Sequence, residues 1–221
     1  MIDPPFFITL EGIEGSGKTT QIRTVENWLA ASGQTVVTTR EPGGTAIGQQ
    51  IRSILLNPEN TLLAPMAELL LYGADRVQHL ETCIRPALKA GTTVVSDRFF
   101  DATLVYQGYA RGLDAEAIRQ VHRLFCGNLF PHLTLLLDLP PEAGLNRAWR
   151  RIHQDAAQAE ESRFEKEALA FHHKVRDGYL ELARQEPQRF AVIDADADES
   201  AVSDRIEAVL EERLYAVPPT R

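Results

Sequence analysis

The sequence predicts an α/β fold in which a five-stranded parallel sheet is flanked by helices on both faces. Three observations indicate it: five short apolar runs typical of strands, segments with apolar residues about 3.6 positions apart, and an order in which strands and helices alternate. An apolar fraction of 44% and a charged fraction of 24% are those of a globular protein, which excludes disordered and fibrous classes. At 221 residues the chain can bury one core, so we predict a single domain over residues 1–221.

The predicted strands are continuous apolar runs rather than alternating ones, so we expect the sheet to be covered on both faces. They lie at residues 6–11, 35–39, 92–97, 133–139 and 190–194. The segments that predict helices, several of which end in glycine, lie at residues 18–33, 48–56, 66–91 and 115–127. Because a strand is followed by a helix and then by another strand, parallel pairing is favoured.

Residues 143–183 differ from the rest of the chain, because they are highly charged and contain no strand pattern. We predict two helices here, joined by an exposed excursion around an Ala/Gln/Glu-rich middle. The last residues, about 215–221, predict a frayed tail.

Charge and cysteine content exclude several classes of protein. The net charge of −8 argues against a nucleic-acid coat protein or a polybasic membrane patch. Cys83 and Cys126 have no second Cys or His at metal-ligand spacing, which indicates a reducing compartment. The start of the chain lacks a signal-peptide pattern, and no apolar run approaches the roughly 18 residues of a membrane span. We therefore expect a cytoplasmic protein with no nucleic-acid and no membrane partner.

Residues 12–19, GIEGSGKT, match the pattern G-x-x-x-x-G-K-[ST] in full and lie between a predicted strand and a predicted helix. Small residues let backbone N–H groups surround an anion, and the start of the following helix adds partial positive charge. In this pattern the lysine reaches the β- and γ-phosphates of a nucleotide, and the final hydroxyl is a ligand of Mg²⁺. The residues predicted to bind the nucleotide are Gly12, Ile13, Glu14, Gly15, Ser16, Gly17, Lys18 and Thr19, with Thr19 also a metal ligand.

Two other predicted strands end in residues suited to anions. The second strand is followed by Arg40, and the third by Asp97 and Arg98. Ligands of an open parallel sheet bind at the carboxyl ends of its strands, so these arginines are expected beside the phosphate loop. They indicate a second substrate that carries phosphate, although a strand-end ion pair is an alternative. The absence of an N-K-x-D motif weakens a GTPase, and a kinase or a nucleotide-dependent switch both remain open.

Six stretches of the chain, taken in order, resemble bacterial thymidylate kinases over roughly residues 6–195. They are GIEGSGKTTQ, TREPGGT, LLLYGADRVQHLETCIRPAL, SDRFFDATLVYQGYARGL, LTLLLDLPPEAGLNR and RFEKEALAFHHKVRDGYLELA. The resemblance implies a three-layer P-loop kinase fold with a helical lid. It also implies phosphorylation of dTMP to dTDP by ATP with Mg²⁺, in a homodimer. The alternatives are a kinase for another nucleoside monophosphate and a P-loop switch or assembly ATPase.

The resemblance assigns roles around the transferred phosphoryl group. It implies that Arg40 and Arg98 hold the acceptor monophosphate and that Lys18 offsets charge during transfer. Asp97 is expected near Mg²⁺, bound through water. Glu14 matches the carboxylate that accepts the 3′-hydroxyl of the sugar.

Four further residues are assigned to the base and sugar of the acceptor. The resemblance implies that Tyr72 stacks on the base and that Arg76, four residues later on the same helix face, donates to its O4 atom. Thr103 matches a residue that contacts the base. Tyr106 matches a ring that crowds the 2′ position and disfavours ribonucleotides. Core packing is the alternative for both tyrosines.

The family carries a catalytic arginine either in the phosphate loop or in a mobile lid. The loop has none here, whereas Arg147, Arg150 and Arg151 stand at the start of the lid, at about residues 147–163. The resemblance therefore implies the lid type, and we prefer Arg151 or Arg147 to Arg150 as the catalytic residue. The lid is longer than the family pattern, which leaves this choice open. Asp138, after the fourth strand, fits either an acid near Mg²⁺ or a helix cap.

Overall fold

The computed structural model describes residues 5–154 and 159–215. Its strands are all parallel and form one sheet with the order β2-β3-β1-β4-β5, which confirms the predicted fold class. The strands are β1 (Phe7–Glu11), β2 (Val36–Arg40), β3 (Thr93–Asp97), β4 (Leu133–Asp138) and β5 (Phe190–Asp194). Because a continuous apolar run marks a buried strand clearly, the predicted bounds agree closely with the observed ones.

Only the central strands are covered on both faces. β1, β3 and β4 are buried along almost their whole length, whereas β2, at one edge, has half-buried and exposed side chains. The other edge strand, β5, leaves Val192 half exposed. The expectation of a sheet covered throughout is therefore wrong at both edges, where the helices leave part of the side chains on the faces of the strands uncovered.

The described helices include every predicted helical segment. They are α1 (Lys18–Ala31), α2 (Ala46–Leu56), α3 (Pro65–His79), α4 (Arg85–Lys89), α5 (Phe100–Thr103), α6 (Ala115–Cys126), α7 (Pro141–Gln154), α8 (Leu169–Gln185) and α9 (Glu199–Leu210). Helix α2 begins earlier than predicted because Thr45 caps it, its Oγ1 accepting from the N–H of Gly48 at 2.9 Å. Within the described part of the chain, no helix has both the length and the apolarity to cross a bilayer.

The long helix predicted over residues 66–91 is interrupted. Between α3 and α4 the backbone widens into a π-helical turn, Leu80–Ile84. Pro86 follows in the first turn of α4. Proline has no N–H to donate to the carbonyl four residues earlier, so the regular α-helical bonding cannot continue through it.

Two helical regions were not predicted from the sequence. Helix α5 continues as a π-helical segment, Leu104–Ala110, in a stretch whose apolar residues have no clear period. Helix α9 follows β5, and Asp198 caps it by accepting from the N–H of Ala201 at 2.8 Å. The sequence could have predicted this helix, because Asp198 is followed by apolar residues at helical spacing. These residues, Val202, Ile206 and Leu210, are buried.

The two helices predicted within residues 143–183 are α7 and α8. Residues 160–168 form turns between them, and residues 155–158 of the predicted excursion lie outside the described part of the chain. The predicted tail lies outside it from residue 216 onward.

Parallel strands bring the candidate residues to one edge of the sheet. Asp97, the last residue of β3, has Leu10 of β1 and Arg40 of β2 as its register partners. The phosphate loop follows β1 directly. The loop, Arg40 and Asp97 therefore lie side by side at the carboxyl edge.

Candidate active site

A cavity of about 230 Å³ opens at this carboxyl edge. The predicted site residues that line it are Glu14, Gly15, Gly17, Lys18, Thr19, Arg40, Tyr72, Arg76, Asp97, Arg98, Thr103, Tyr106 and Arg151. Four others do not line it: Gly12, Ile13, Ser16 and Arg147. The first three belong to the phosphate loop, and the side chains of Ile13 and Ser16 are buried.

The phosphate loop depends on its glycines. Gly12, Gly15 and Gly17 have φ values of 140°, 72° and 96°, a region that side chains disfavour. A Cβ on Gly15 would lie 2.1 Å from the carbonyl oxygen of Gly144, and a Cβ on Gly144 would lie 2.5 Å from that of Glu14. The loop and the first turn of α7 are therefore in direct backbone contact, which only glycine permits.

Lys18 lies buried within the loop. Its Nζ donates to the carbonyl oxygens of Gly12 at 3.0 Å and Ile13 at 2.9 Å. Burial, with a contribution from the charge of Arg98, lowers the pKa of Lys18 to about 8. The ammonium group therefore lies where a phosphate oxygen of a bound nucleotide would replace these carbonyls as acceptor.

Thr19 and Asp97 provide oxygen atoms beside the loop. Oγ1 of Thr19 donates to Oδ2 of Asp97 at 3.5 Å, and both residues line the cavity. A hydroxyl and a carboxylate suit Mg²⁺, which prefers oxygen ligands and keeps several waters. Asp138 forms an ion pair with Arg176, whose Nε and Nη2 donate to its two carboxylate oxygens at 2.7 and 2.8 Å.

Arg98 has an unusual backbone conformation. Its φ is 68°, and among the described residues it alone, glycines apart, has a positive φ. Nη2 donates to Oε1 of Glu14 at 2.9 Å, Nη1 donates to the hydroxyl of Tyr179 at 3.3 Å, and the guanidinium lies 4.9 Å from the centre of the Tyr106 ring. A left-handed residue of this kind costs about 1–3 kcal/mol and persists where its surroundings hold it. Such strain at a cavity wall is typical of a functional residue.

Glu14 is buried and surrounded by donors. Its Oε1 accepts from Arg98 and, at 2.5 Å, from the hydroxyl of Tyr106. Its Oε2 lies 3.3 Å from Nδ1 of His172, within ion-pair distance but without the alignment of a hydrogen bond. Burial alone would raise the pKa of the Glu14 carboxyl, but His172 and the charges of Arg98 and Lys18 outweigh it and hold the pKa well below its usual range.

Two buried residues near Arg98, Glu11 and Tyr179, were not predicted from the sequence. Tyr179 accepts from Arg98 and donates to Glu11. Oε1 of Glu11 accepts from the N–H of Phe99 at 2.8 Å, and Oε2 accepts from the hydroxyl of Tyr179 at 2.7 Å. Burial, helped by the charge of Asp101, raises the pKa of the Glu11 carboxyl to about 7. The signal was present, since a glutamate ending a fully buried strand needs partners.

Arg76 is held on several sides. Its Nε donates to Oε2 of Glu41 at 2.9 Å, and its Nη2 donates to Oγ1 of Thr103 at 2.7 Å and to the carbonyl of Phe99 at 3.3 Å. The guanidinium also lies 5.3 and 5.5 Å from the ring centres of Phe99 and Phe100. Its Nη1 has no partner among the described residues, although Arg76 lines the cavity with Tyr72.

Glu41 belongs to a buried chain of polar contacts that the sequence did not predict. Its Oε1 lies 3.0 Å from Nδ1 of His79, and Nε2 of His79 lies 2.6 Å from Oγ1 of Thr39. His79 is fully buried and Glu41 almost so. This chain runs from Thr39 to Arg76 and fixes the orientation of the guanidinium.

The lid arginines are separated in space. Arg151 lines the cavity. Arg147 instead donates from Nη1 to the carbonyl of Ala195 at 3.2 Å, and its Nη2 lies 3.6 Å from Asp196. Arg150 is exposed. The geometry distinguishes Arg151 from Arg147, which the sequence did not.

Ion pairs fasten the turns of residues 160–168 to the structure beneath, and two of them reach helices α2 and α3. Arg52 of α2 donates twice to Glu161, at 2.9 and 2.7 Å. Arg163 is buried, pairs with Glu68 of α3, and donates to the carbonyl of Leu55 at 2.5 Å. This part of the lid is therefore held over the cavity.

Known proteins of the same kind match almost the whole chain. The family model described as thymidylate kinase matches residues 10–206. Thymidylate kinase of Desulfosudis oleivorans is 57% identical over 205 residues, covering 93% of this chain and 96% of its own. That of Syntrophotalea carbinolica is 58% identical over 201 residues, covering 91% and 93%.

A solved structure agrees with these sequences. The crystal structure of thymidylate kinase from Ehrlichia chaffeensis superposes with a TM-score of 0.74 at 32% identity, covering 93% of this chain and 98% of that one. A loop built for phosphates, a cavity edged with arginines and relatives of more than 50% identity all lead to the same conclusion: the chain belongs to the thymidylate kinase family.

Proposed function

We propose that this chain transfers the γ-phosphoryl group of ATP to dTMP, giving dTDP, in the cavity at the carboxyl edge of the sheet. The members of its family are thymidylate kinases, so the chain is a dTMP kinase with ATP and dTMP as substrates. One observation carries the location: a single cavity is lined by most of the phosphate loop, by Arg40 and Arg98, and by Tyr72 with Arg76. Neither a kinase for another monophosphate nor a switch ATPase is favoured by the family.

We propose that catalysis rests on positioning and charge. Lys18 and the loop N–H groups bind the β- and γ-phosphates, while Arg98 and Arg40 direct the acceptor phosphate in line. Arg98 suits this role because Glu14 and Tyr179 already hold its guanidinium. Arg40 is exposed, with one long contact to Gln49 at 3.4 Å, so it is free to turn toward an entering phosphate.

Mg²⁺ is the proposed cofactor. Thr19 would hold it directly and Asp97 through water, and the two oxygens already lie 3.5 Å apart. When bound, the ion neutralises charge on the phosphate oxygens. The fit rests on the chemistry of these donors, since Asp97 has no basic partner among the described residues.

Base and sugar recognition is proposed for the other side of the cavity. Tyr72 offers a ring for stacking, and Nη1 of Arg76 offers the donors that O4 of thymine requires. Thr103 lies against the base beside Arg76. Glu14 accepts the 3′-hydroxyl, and the Tyr106 ring restricts the 2′ position.

The lid completes the proposed site. Arg151 is the arginine that reaches the transferred phosphoryl group, because it lines the cavity while Arg147 pairs with the loop after β5. The lid over residues 147–163 would exclude water, which otherwise competes with dTMP as acceptor.

A coupled product assay tests this function. With ATP and Mg²⁺, we expect ADP formation that depends on dTMP and exceeds the rate with dCMP, dGMP or no monophosphate. Hydrolysis of ATP at one rate in all four mixtures would contradict a kinase and identify a switch ATPase. A higher kcat/KM for another monophosphate would identify a different acceptor.

Three proposals concern the whole chain. It forms one domain, since a continuous apolar core joins the sheet to its helices. It forms a homodimer through an exposed apolar face on neighbouring helices, with Met66 and Leu70 on α3 and Phe125 on α6. Its place is the cytoplasm, in keeping with two free cysteines.

A further inference from the structure

Arg52 of α2 joins two parts of the cavity wall that lie far apart in the chain. Its Nε and Nη2 donate to the two carboxylate oxygens of Glu161 in the lid turns, at 2.9 and 2.7 Å. Its Nη1 donates to the carbonyl oxygen of Pro42 at 2.9 Å. Pro42 belongs to the loop of residues 41–45, which directly follows Arg40. One guanidinium group therefore bonds the lid turns and the loop after Arg40 at the same time.

The aliphatic stem of Arg52 also packs against this loop. Gly43 has a φ of 102°, and a Cβ there would lie 2.8 Å from Cδ of Arg52. Gln49, one turn earlier on α2, donates from Nε2 to the carbonyl oxygen of Gly43 at 2.5 Å and accepts from Nη2 of Arg40 at 3.4 Å. The loop therefore rests on α2 through Arg52 and Gln49, next to the arginine proposed for the acceptor phosphate.

The carboxylate of Glu161 is influenced by both arginines. Hydrogen bonds from Arg52, reinforced by the charges of Arg52 and Arg40, hold the pKa of Glu161 below its usual range although the carboxyl is partly buried. Arg40, Arg52 and Glu161 all line the cavity. Without Arg52, the negative charge of Glu161 would be left to act on Arg40, which the acceptor phosphate needs.

We propose that Arg52 is a positioning residue that couples the lid turns to the binding of the acceptor's phosphate group at Arg40. This inference rests on the proposed function, in which Arg40 holds that phosphate. Arg52 keeps the loop of residues 41–45 in place and keeps Glu161 occupied, so that Arg40 is left for the substrate. Seating of the lid turns on Arg52 and binding of the phosphate therefore favour each other.

A simple effect of charge would give a different result. Removing the positive charge of Arg52 would weaken the binding of an anion, whereas removing the negative charge of Glu161 would strengthen it. The proposed link predicts that both changes weaken it, because Arg52 without Glu161 is no longer held against the loop. It also predicts that losing both side chains costs little more than losing either one. The sign of the Glu161 effect therefore separates the two explanations.

The experiment measures the dissociation constants of dTMP and thymidine by calorimetry and takes their ratio as the contribution of the phosphate. Thymidine lacks the phosphate, so a general loosening of the cavity affects both ligands and cancels in the ratio. The variants are Arg52→Met, Glu161→Met and the double variant, with thermal unfolding to identify those that fold. Because the Glu161 side chain is 39% exposed, Glu161→Met decides the question if Arg52→Met does not fold.

The control is Glu181→Met, which breaks another arginine–carboxylate pair. Glu181 pairs with Arg184 at 2.6 Å on α8, and neither residue belongs to the cavity wall of the described structure. Arg40→Met is measured as well, because it removes the proposed phosphate ligand itself.

We expect the wild-type preference for dTMP over thymidine to fall about fivefold in Arg52→Met, in Glu161→Met and in the double variant alike. Glu181→Met should keep the wild-type preference. A stronger preference in Glu161→Met, an unchanged preference in either single variant, losses that multiply in the double variant, or the same loss in Glu181→Met would overturn the link. A wild type that binds dTMP no better than thymidine, or whose preference Arg40→Met leaves unchanged, would instead overturn the proposed role of Arg40.

Discussion

Arg76 divides its five N–H donors between the protein and the cavity. Nε and Nη2 are bound by Glu41, Thr103 and the carbonyl of Phe99, which leaves Nη1 for a ligand. Thymine presents an acceptor at O4, whereas cytosine presents an amino donor at the same position. A guanidinium has donors only, so it would meet cytosine with a donor unpaired. If Arg76 has the proposed role, selection between the two pyrimidines would depend on the orientation of this one side chain.

We predict that Arg76→Met removes this selection. A buried donor left unpaired costs about 1–3 kcal/mol, so the wild-type ratio of kcat/KM for dTMP over dCMP should fall by roughly tenfold to a hundredfold. Taking a ratio removes losses common to both substrates, including those caused by leaving Glu41 without its partner. Tyr72→Leu is the comparison, because stacking serves every base and both substrates should weaken together. An unchanged ratio in Arg76→Met would show that another residue reads the base.

Glu11 gives a second prediction at this scale, for stability rather than catalysis. Its pKa rises from an ordinary value of 4.5 to about 7 in the folded protein. The folded chain therefore keeps a proton that the unfolded chain releases. The resulting stabilisation is complete below pH 4.5 and is lost as the pH rises through 7, on the order of 3 kcal/mol in all.

We predict that Glu11→Gln removes this pH dependence. Urea unfolding at pH 5 and pH 8 should show that the free energy of unfolding of wild type, relative to the variant, is larger at pH 5. Tyr179→Phe, which removes the hydroxyl bound to Oε2, is a useful comparison because it leaves the carboxyl in place. If wild type and Glu11→Gln change in parallel with pH, Glu11 does not titrate in this range.

At the scale of elements, the lid combines a helix that carries arginines with turns that ion pairs fasten down. Arg52–Glu161 and Arg163–Glu68 hold the turns on α2 and α3, whereas Arg151 projects from α7. The fastened turns, through Glu161, and the helix, through Arg151, therefore both line the cavity.

We predict that Arg151→Ala lowers kcat by about 10³-fold, as the loss of an arginine finger does elsewhere. The affinity for ATP should change much less, because the contact matters mainly in the transition state. Arg147→Ala tests the alternative arginine, and Arg150→Ala, at an exposed position, serves as the control. Wild-type kcat in the triple variant would mean that the lid supplies no catalytic arginine.

At the scale of the whole molecule, several exposed apolar side chains lie on two helices that pack together. Leu70 is 54% exposed and Phe125 59%, on helices α3 and α6 that pack together. A large contiguous apolar surface marks an association site, and we propose that these side chains belong to one. A second copy of the chain is the proposed occupant.

We predict that Met66→Glu combined with Leu70→Glu converts the dimer to a monomer, because opposed copies would bury like charges. Sedimentation velocity at several protein concentrations measures this directly. Val192→Lys on edge strand β5 changes an equally exposed apolar residue elsewhere and should leave the dimer intact. A wild type that sediments as a monomer at all concentrations would contradict the homodimer.

The predictable parts of this protein are those that short stretches of sequence determine. The strands and the phosphate loop follow from local composition and spacing, and thirteen predicted site residues line one cavity. The missed residues act across long separations. Glu11 meets Tyr179 168 positions away and Arg76 meets Glu41 35 positions away, and neither pairing has a local pattern. The break in the helix before Pro86 could have been predicted from the proline itself. The exposure of β2, by contrast, could be known only from the order of the strands in the sheet.

Because the backbones of Gly15 and Gly144 are in contact, helix α7 of the lid packs directly on the phosphate loop. Helix α7 starts on the loop, and Arg151 lies seven residues further on, a lever arm of about 10 Å at 1.5 Å per residue. A tilt of helix α7 by about 6° about this contact would therefore move the Cα atom of Arg151 by about 1 Å, enough to align or misalign a catalytic group. A nucleotide that tilted helix α7 through this contact would therefore displace Arg151, so occupancy of the loop would alter the position of the proposed catalytic arginine.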